Sequence, residues 1–406
     1  PYRYTPAAGI LDDLVTEPYD KISPDMQARY LAQSPYNLVR VILGERFAGD
    51  DDANNVYTRA AGYLNDWIGA GVLARDADPA FFAYFQEFTV PDTGERLVRK
   101  GFIGLGSVVD YSANVVHRHE QTLSGPKNDR MELLRHTHAH FGQIFMLYPD
   151  PLGAIDGLLD MAAREKPLGE ITDVYGAIHR VWKISGAARI SEIQALMSDK
   201  KLLIADGHHR YETALAFRHE NPNLPGSDKV MMTLVNMHSP GLRILAAHRL
   251  VTGLDEFRLD TFLKKTTPRF AAQPFSTLDE LKAALAHPAP RKIRIGVAAA
   301  GVNPIYLLEA DRAAGQLDVK VLHEELLGGA LGIGEDAVRE EKFLHYIRGL
   351  DAAVNQVREG KAQIGFLLEP TTMEQVAGVA FSGGVMPQKS TDFYPKLLSG
   401  FTIYKL

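Results

Sequence analysis

A short segment near the middle of the chain carries residue types that could bind an anion. Asp206, Gly207, His208, His209 and Arg210 directly follow an apolar run, and an alanine-rich helical pattern begins right after them. The first turn of a helix has unpaired amide N–H groups and a partial positive charge, so it attracts phosphate. Arg210 adds a planar fork that matches phosphate oxygens. The pattern alone predicts an anion site, without naming a reaction.

Two further residues of the turn have chemistry of their own. Gly207 lets the backbone approach a ligand closely. Asp206 is an acceptor beside a cationic cluster, where it could hold a divalent metal or a substrate hydroxyl. The structural alternative is a solvated turn in which Asp206 only caps the helix. Five polar or special residues packed between an apolar strand and an alanine-rich helix favour a site.

The surrounding pattern predicts the elements that hold the turn. Apolar runs indicate strands over 179–184, 202–205 and 230–235, with a helix capped by Ser191 and another beginning near Tyr211. Helix and strand patterns continue to alternate to residue 368, which predicts a mixed α/β fold. We place soft boundaries near 150 and 255, giving an N-terminal α/β lobe (1–150), a core with the turn (151–255) and a C-terminal α/β lobe (256–406).

Composition narrows the class of protein. The 406 residues are 46% hydrophobic and 23% charged, which excludes a mainly disordered chain. A formal charge of −6 and no basic helix-turn-helix pattern argue against a nucleic-acid partner. The absence of cysteine excludes disulfides, a thiol nucleophile and thiolate metal sites. With no signal peptide and no apolar run long enough for a membrane span, we expect a cytoplasmic protein without a membrane partner; the oligomeric state stays open.

Longer motifs carry a family resemblance. The string ADGHHRYETA, over 205–214, resembles the signature of a domain-of-unknown-function family. Other segments are similar to the same family: Glu17-Pro-Tyr-Asp20, His119-Glu-Gln-Thr122, MPQKST over 386–391 and FYPK over 393–396. The resemblance therefore extends over essentially the whole chain.

A more distant resemblance implies a fold and a chemistry. The strand, DGHHR turn and helix are similar to the core of the ParB/sulfiredoxin superfamily, in which this turn binds nucleotide phosphates. They are closest to the ParB-like free-serine kinases, which also carry an upstream His-Glu pair, matched here by His119 and Glu120. This implies a ParB/sulfiredoxin-like core with large flanking α/β lobes, although the stretch between the two motifs is much longer here.

The activity implied is that of a small-molecule kinase. It would transfer phosphate from ATP or ADP, with Mg²⁺, to the hydroxyl of a small metabolite, with L-serine the specific expectation. Glu120, Asp206 and His208 are the candidate catalytic residues, and Asp206 is also the candidate metal ligand. Neither a Walker A loop nor a protein-kinase glycine-rich loop is present. The alternative is a ParB-like nucleotide-binding or nucleotide-hydrolysing switch without transfer activity.

The remaining candidates depend more on this resemblance. The candidate phosphate contacts are Gly207, His208, His209, Arg210, Lys127, Arg130, Lys389, Ser390 and Thr391, and the candidate acceptor contacts are His119 and Trp182. In isolation Lys127 and Arg130 are ordinary surface charges, Lys389 belongs to a loop and Trp182 to a core. His136 and His140 would share a helix face, yet solvated or hydrogen-bonded histidines are favoured over a metal site. Glu17–Asp20 is interpreted as a rigid turn.

Overall fold

Residues 1–91, 93–120 and 125–406 are described by the computed structural model. Gln121 and Thr122, which complete the motif that begins at His119, lie outside the described residues. The helices of the described residues are α1 (Pro24–Gln33), α2 (Val39–Ile42), α3 (Val56–Gly69), α4 (Gly125–Thr137), α5 (Ala154–Ala162), α6 (Ala187–Met197), α7 (His208–Glu220), α8 (Leu259–Thr266), α9 (Leu278–Ala286), α10 (Asp318–Val321), a π-helical segment (Leu322–Ala330), α11 (Glu335–Arg339), α12 (Leu350–Arg358) and α13 (Met373–Phe381).

The strands form two principal sheets and three short pairs. They are β1 (Tyr2–Tyr4), β2 (Leu73–Arg75), β3 (Phe81–Thr89), β4 (Arg96–Ser107), β5 (Val116–His117), β6 (Ala139–His140), β7 (Ile144–Tyr148), β8 (Gly169–Thr172), β9 (Ile178–Ile184), β10 (Leu202–Asp206), β11 (Lys229–Asn236), β12 (Arg243–Leu245), β13 (Ala247–Val251), β14 (Ala271–Phe275), β15 (Lys292–Ala299), β16 (Ile305–Asp311), β17 (Leu344–Arg348), β18 (Ile364–Leu368), β19 (Asp392–Tyr394) and β20 (Tyr404–Lys405).

The larger sheet is mixed and has the order β5-β10-β7-β11-β4-β3-β9-β8. Both of its faces are covered, and the alternation of side chains along β3 shows how. Phe82 and Tyr84 pack into one apolar cluster, while Ala83 and Phe85 pack into another on the opposite face. Burial of both faces explains why its central strands are apolar almost throughout.

The second sheet is antiparallel throughout, in the order β14-β16-β15-β18-β13-β17. Its inner face joins the apolar cluster that contains Phe82, and its outer face packs with α9 and α12. Strand β17 lies at the edge of this sheet, which leaves its residues available to a neighbouring cavity.

The mixed α/β class expected from the sequence is confirmed, and the division into three lobes stays a prediction. Strands from both sides of position 150 form the larger sheet, so that boundary falls inside one layer. The second sheet runs from Ala247 to Leu368, and the chain then returns to the first part of the molecule. There β19 pairs with β12, and β20 pairs with β6. Among the described residues, no helix is long and apolar enough to cross a membrane.

Local boundaries near the site also differ from expectation. Helix α6 begins at Ala187 after Gly186, so Ser191 is a helix residue and not its cap. Helix α7 begins at His208, three residues before the expected start, because Gly207 adopts φ 92° and turns the chain directly into the helix. The predicted order of strand, helix, strand, helix and strand around the turn is present.

Candidate functional site

The turn between β10 and α7 is shaped by a bulge and a glycine. The pairing of β10 with β7 shifts register between Ile204 and Asp206, and a bulge of this kind re-aims the side chain that follows it. The Gly207 N–H donates to Asp206 Oδ1 at 2.9 Å. Helix α7 then starts at His208, so its first-turn amides stand at the end of the strand.

A cleft of about 690 Å³ opens in front of this turn. Its walls come mainly from five separate stretches of chain: the N-terminal turn, the Glu120 segment, the turn at the start of α7, and two parts of the C-terminal third. The chemically useful residues that line it are Tyr19, Asp20, Lys21, Glu120, Asp206, Gly207, His208, His209, Arg210, Glu341, His345, Tyr346, Arg348, Lys389, Thr391, Asp392 and Lys396. Both sheets contribute to the walls.

Glu120 is held by the C-terminal segment. The Met386 N–H donates to the His119 carbonyl at 2.7 Å, which aligns the two stretches. The Lys389 N–H then donates to Glu120 Oε1 at 3.0 Å. Burial raises the pKa of Glu120 above its usual value, and the Lys389 N–H opposes this shift. The result is a carboxylate at the cleft wall that is more basic than an ordinary glutamate.

Asp206 takes part in a chain of opposite charges across the cleft. Lys396 Nζ lies 3.6 Å from Asp206 Oδ2 and 3.2 Å from Asp392 Oδ1. Arg348 binds Asp392 through both Nε and Nη2. Burial alone would raise the pKa of Asp206, but Lys396 and Arg210 together hold it below the usual value. Asp206 is therefore ionised, with two cations beside it.

His119 and His208 form a buried pair behind the cleft. Their rings meet edge to face with centroids 4.9 Å apart. His119 Nδ1 lies 2.9 Å from the Ile204 carbonyl oxygen and Nε2 lies 2.8 Å from Thr391 Oγ1. Burial lowers the pKa of His119 to about 4, so the ring is neutral. Because a carbonyl only accepts, Nδ1 carries the proton and Nε2 accepts from Thr391. His208 lines the cleft, and its Nε2 has no hydrogen-bond partner among the described residues.

Arg210 folds back along the turn. Its Nη1 donates to the Gln143 carbonyl, and its Nη2 lies 3.8 Å from Asp206 Oδ2. A Cβ placed on Gly207 would lie 3.0 Å from Arg210 Nε, so a larger residue would force the arginine side chain to shift, and φ 92° also favours glycine. His209 is half-buried at the cleft, where its Nδ1 has no partner among the described residues and burial lowers its pKa.

Five sequence-predicted residues do not line this cleft, and one of them is His119, which is fully buried behind it. Lys127 pairs with Glu212 in a separate shallow depression. Arg130 binds Asp129 and the Ile42 carbonyl, and its guanidinium lies 4.0 Å from the centroid of the Tyr19 ring. Ser390 Oγ donates to the Pro387 carbonyl and faces another cavity, because side chains alternate along the 389–391 segment.

Trp182 is the fifth, and its assignment as an acceptor contact is corrected. It lies on β9 in the apolar cluster with Phe85, with ring centroids 5.0 Å apart. Its Nε1 donates to the Glu165 carbonyl at 2.8 Å, which satisfies the only polar atom of the ring. Trp182 is therefore a core residue.

The histidines of the HTHAH segment do not share a helix face. Helix α4 ends at Thr137, and His138 follows with φ 47°. His140 lies on β6 and stacks on Tyr404, whereas His136 stacks on Tyr57. Within the ranges that the structure describes, no group of three or more His, Cys, Asp or Glu residues could hold a metal ion.

The sequence analysis missed several residues of the cleft. Tyr19, Asp20 and Lys21 line it, although the Glu17–Asp20 segment, which includes the first two, was interpreted as a rigid turn. Lys396 lines it as well, and its place in the FYPK motif was the available signal. The residues of β17, such as Tyr346 and Arg348, carry no local motif, so nothing in their sequence context indicated a site.

Fold and site together define a mixed α/β protein in which both sheets and the DGHHR turn line one polar cleft. The chain belongs to the family described as protein of unknown function (DUF1015), whose model matches residues 1–326. No curated protein matches the chain.

Solved structures similar to this chain are distant. A conserved hypothetical protein from Pyrococcus furiosus is 11% identical, with a TM-score of 0.36, and the match covers 72% of this chain and 90% of that one. A free serine kinase variant in complex with AMP is 10% identical, with a TM-score of 0.38, covering 72% and 87%. SbnI from Staphylococcus aureus, truncated at its C-terminus, is 11% identical, with a TM-score of 0.37, covering 73% and 85%.

Proposed function

We propose that this protein is a small-molecule kinase that transfers phosphate from ATP or ADP to the hydroxyl of L-serine, giving O-phosphoserine. The observation that carries the proposal is that Glu120, the Asp206–Arg210 turn and Lys389 line one cleft, although they are far apart in the sequence. The resemblance to ParB-like free-serine kinases assigns Glu120 to the base and the DGHHR turn to phosphate binding, and Lys389 belongs to the MPQKST motif of the wider family.

The cationic part of the cleft suits the phosphates. Four groups line the cleft near Asp206: the first-turn amides of α7 and the side chains of His209, Arg210 and the exposed Lys389. Phosphoryl transfer needs charge stabilisation on the moving group and a positioned acceptor, and little covalent chemistry from the protein. These groups supply the first requirement.

Glu120 supplies the second requirement. Its carboxylate accepts the proton of the serine hydroxyl while the hydroxyl oxygen bonds to the terminal phosphorus. The bond from that phosphorus to the bridging oxygen breaks, and the shortened nucleotide leaves with the electron pair. A base works best with a pKa close to the operating pH, and burial shifts Glu120 in that direction.

Mg²⁺ fits this site only together with the nucleotide. Protein Mg²⁺ sites commonly combine one or two carboxylates with substrate phosphate oxygens and water. Asp206 is ionised at the phosphate end of the cleft and would hold the ion there. The ion, when bound, neutralises charge on the phosphate oxygens.

The charged residues beside Asp206 and Lys396 suit a zwitterionic acceptor. Asp20 and Asp392 can face an ammonium group, and Lys21, Lys396 and Arg348 can face a carboxylate. An amino acid carries both charges on one carbon, and serine adds the hydroxyl.

A nucleotide switch without transfer is the second candidate. The observation that favours it is that residues of both sheets line the cleft, so a nucleotide bound there would contact both parts of the molecule. Such a protein would bind or hydrolyse nucleotide without making phosphoserine.

The test is incubation of the purified protein with ATP or ADP, Mg²⁺ and L-serine, followed by mass-spectrometric detection of O-phosphoserine. L-Alanine, which lacks the hydroxyl, is the matched control substrate. Phosphoserine formed with L-serine supports the kinase. Nucleotide binding or phosphate release without phosphoserine supports the switch, and the absence of any nucleotide binding contradicts both.

A further inference from the structure

A second cavity of about 410 Å³ lies on the other side of the 388–391 segment, against the second sheet. Ser390 faces this cavity, whereas its neighbours Lys389 and Thr391 face the cleft. One short segment therefore separates the two spaces. None of the proposed kinase residues apart from Ser390 lines the second cavity.

Arg249 is the distinctive group of this cavity. Its side chain is 1% exposed, yet its described hydrogen bonds go only to backbone carbonyls, those of Ala247, Gln388 and Lys389. Its Nε has no partner, and no carboxylate of the described residues forms an ion pair with it. A buried guanidinium usually has a carboxylate partner, because an uncompensated buried charge is costly.

The other charged groups of the cavity are already neutralised. Arg312 pairs with Asp318 at 2.5 Å, and Glu369 pairs with Arg294 at 2.6 Å. Of the charged residues that line the cavity, Arg249 is the one without an ion-pair partner among the described residues, and its guanidinium lies 5.2 Å from the centroid of the Tyr346 ring. Burial lowers the pKa of Arg249 to about 10, although the nearby Tyr346 and Glu120 oppose this shift.

Much of the remaining wall is apolar, and its uncharged polar residues are Thr371, Thr372, Gln375 and Ser390. Leu317, Val319, Leu368, Pro290 and Pro370 line the cavity. One positive charge without an ion-pair partner, next to aliphatic side chains, matches a monoanion with a hydrocarbon body. A phosphate dianion would bring twice the charge and no apolar surface. Ligand pockets commonly combine apolar walls with a few polar groups of this kind.

We propose that this cavity binds a small aliphatic monocarboxylate, whose carboxylate pairs with Arg249 and whose hydrocarbon part contacts Leu317, Val319 and Leu368. This ligand is separate from the nucleotide and the acceptor of the cleft, and the proposal does not rest on the kinase activity.

Binding is tested with sodium isovalerate as the probe, titrated into the full-length protein without nucleotide and followed by ligand-observed NMR. Two comparison compounds are titrated in the same way: isovaleramide, the neutral isostere of isovalerate, and inorganic phosphate, which has no hydrocarbon part. We expect isovalerate to bind at least tenfold more tightly than either. Equal binding of the acid and the amide overturns the proposal, because Arg249 would then contribute nothing.

Three variants locate the probe. Ala289→Trp places a large side chain in the cavity lining without altering Arg249, and should weaken isovalerate binding at least tenfold. Arg249→Met, nearly isosteric and uncharged, should abolish the preference for the acid over the amide. His209→Ala, in the cleft, should leave binding within twofold. Loss of binding in His209→Ala with none in Ala289→Trp would place the probe in the cleft and refute the second site.

Discussion

The backbone N–H of Lys389 donates to the Glu120 carboxylate at 3.0 Å, joining residues that lie 269 positions apart in the chain. Lys389 reaches this position in a left-handed conformation, with φ 56°. The same bond that orients Glu120 also brings the Lys389 side chain to the cleft. The base and one phosphate-binding cation of the proposed kinase are therefore positioned by a single loop.

The Glu120→Gln variant tests the base. Glutamine keeps Oε1 as an acceptor for the Lys389 N–H, so the loop should stay in place while the basic oxygen is lost. We expect turnover to fall roughly 10²- to 10⁴-fold, with nucleotide affinity nearly unchanged. Steady-state phosphoserine formation and a nucleotide titration measure the two quantities. Glu341→Gln, at an exposed carboxylate of the same cleft, is the control and should retain turnover. Equal losses in both variants would remove Glu120 from the mechanism.

The Arg210→Ala variant tests phosphate binding. It removes a guanidinium that would act in both ground and transition states, so affinity and turnover should fall together. A loss on the order of 2–3 kcal/mol, or roughly 30- to 140-fold in nucleotide affinity, is expected. The Arg210→Lys variant keeps the charge but loses the planar set of donors. Its nucleotide affinity should lie between those of the parent protein and the Arg210→Ala variant.

Arg210 also donates to the Gln143 carbonyl, so the alanine variant should melt at a lower temperature. Nucleotide calorimetry and thermal melting separate the two effects. If both variants melt early yet bind nucleotide as tightly as the parent protein, Arg210 serves only to tie the turn to Gln143.

The Gly207→Ala variant tests the close approach of the turn. The new Cβ would meet the Arg210 guanidinium at 3.0–3.1 Å, and φ 92° is itself unfavourable for alanine. Gly301→Ala is the matched control, since Gly301 has φ 69° and nothing within 4 Å of its added Cβ. Both variants should lose about 1–3 kcal/mol of unfolding free energy through backbone strain. Only Gly207→Ala should also lose nucleotide affinity. Equal affinities in the two variants would show that the Arg210 side chain moves away from the new Cβ without loss of nucleotide binding.

The sequence predicted the site residues that are adjacent in the chain, and it missed those that only the folded structure brings into the cleft. The strand, turn and helix around Gly207 could be predicted because apolar runs, a glycine and a helical pattern are adjacent in the chain. The positions of Lys396 and Arg348 in the cleft could not be predicted, since they depend on pairing between strands that are distant in the sequence. Trp182 and Ser390 show a related limit. Alternation predicts that neighbouring side chains face opposite sides, but only the packing of the sheets decides which side is the cleft.

The Thr391→Val variant tests the buried histidine behind the cleft. His119 Nε2 accepts from Thr391 Oγ1 at 2.8 Å, so valine would leave a buried acceptor unpaired. We expect a loss of about 1–3 kcal/mol in unfolding free energy, measured by urea denaturation. Thr391→Ser retains the hydroxyl and should retain most of the stability. If valine and serine cost the same, the hydroxyl is not what stabilises His119.

Glu17 predicts a pH dependence of stability. Its side chain is 1% exposed, and one carboxylate oxygen has no partner among the described residues. Burial and the nearby Asp173 raise its pKa from 4.5 to about 8, although Arg348 and Lys396 oppose the shift. Between these two values the folded protein keeps a proton that the unfolded chain has released. Stability should therefore fall as the pH rises from about 4.5 to about 8.

The Glu17→Gln variant isolates this contribution. Glutamine does not titrate, so its unfolding free energy should fall less steeply across the window, by at most about 1.4 kcal/mol per pH unit. Slopes are compared because a buried amide changes the absolute stability through its own hydrogen bonds. Urea denaturation at several pH values between 5 and 8 gives the slopes. Glu335→Gln, at an exposed position at the start of α11, should follow the parent protein. Parallel slopes for the parent and Glu17→Gln would mean that Glu17 titrates like an exposed carboxyl group.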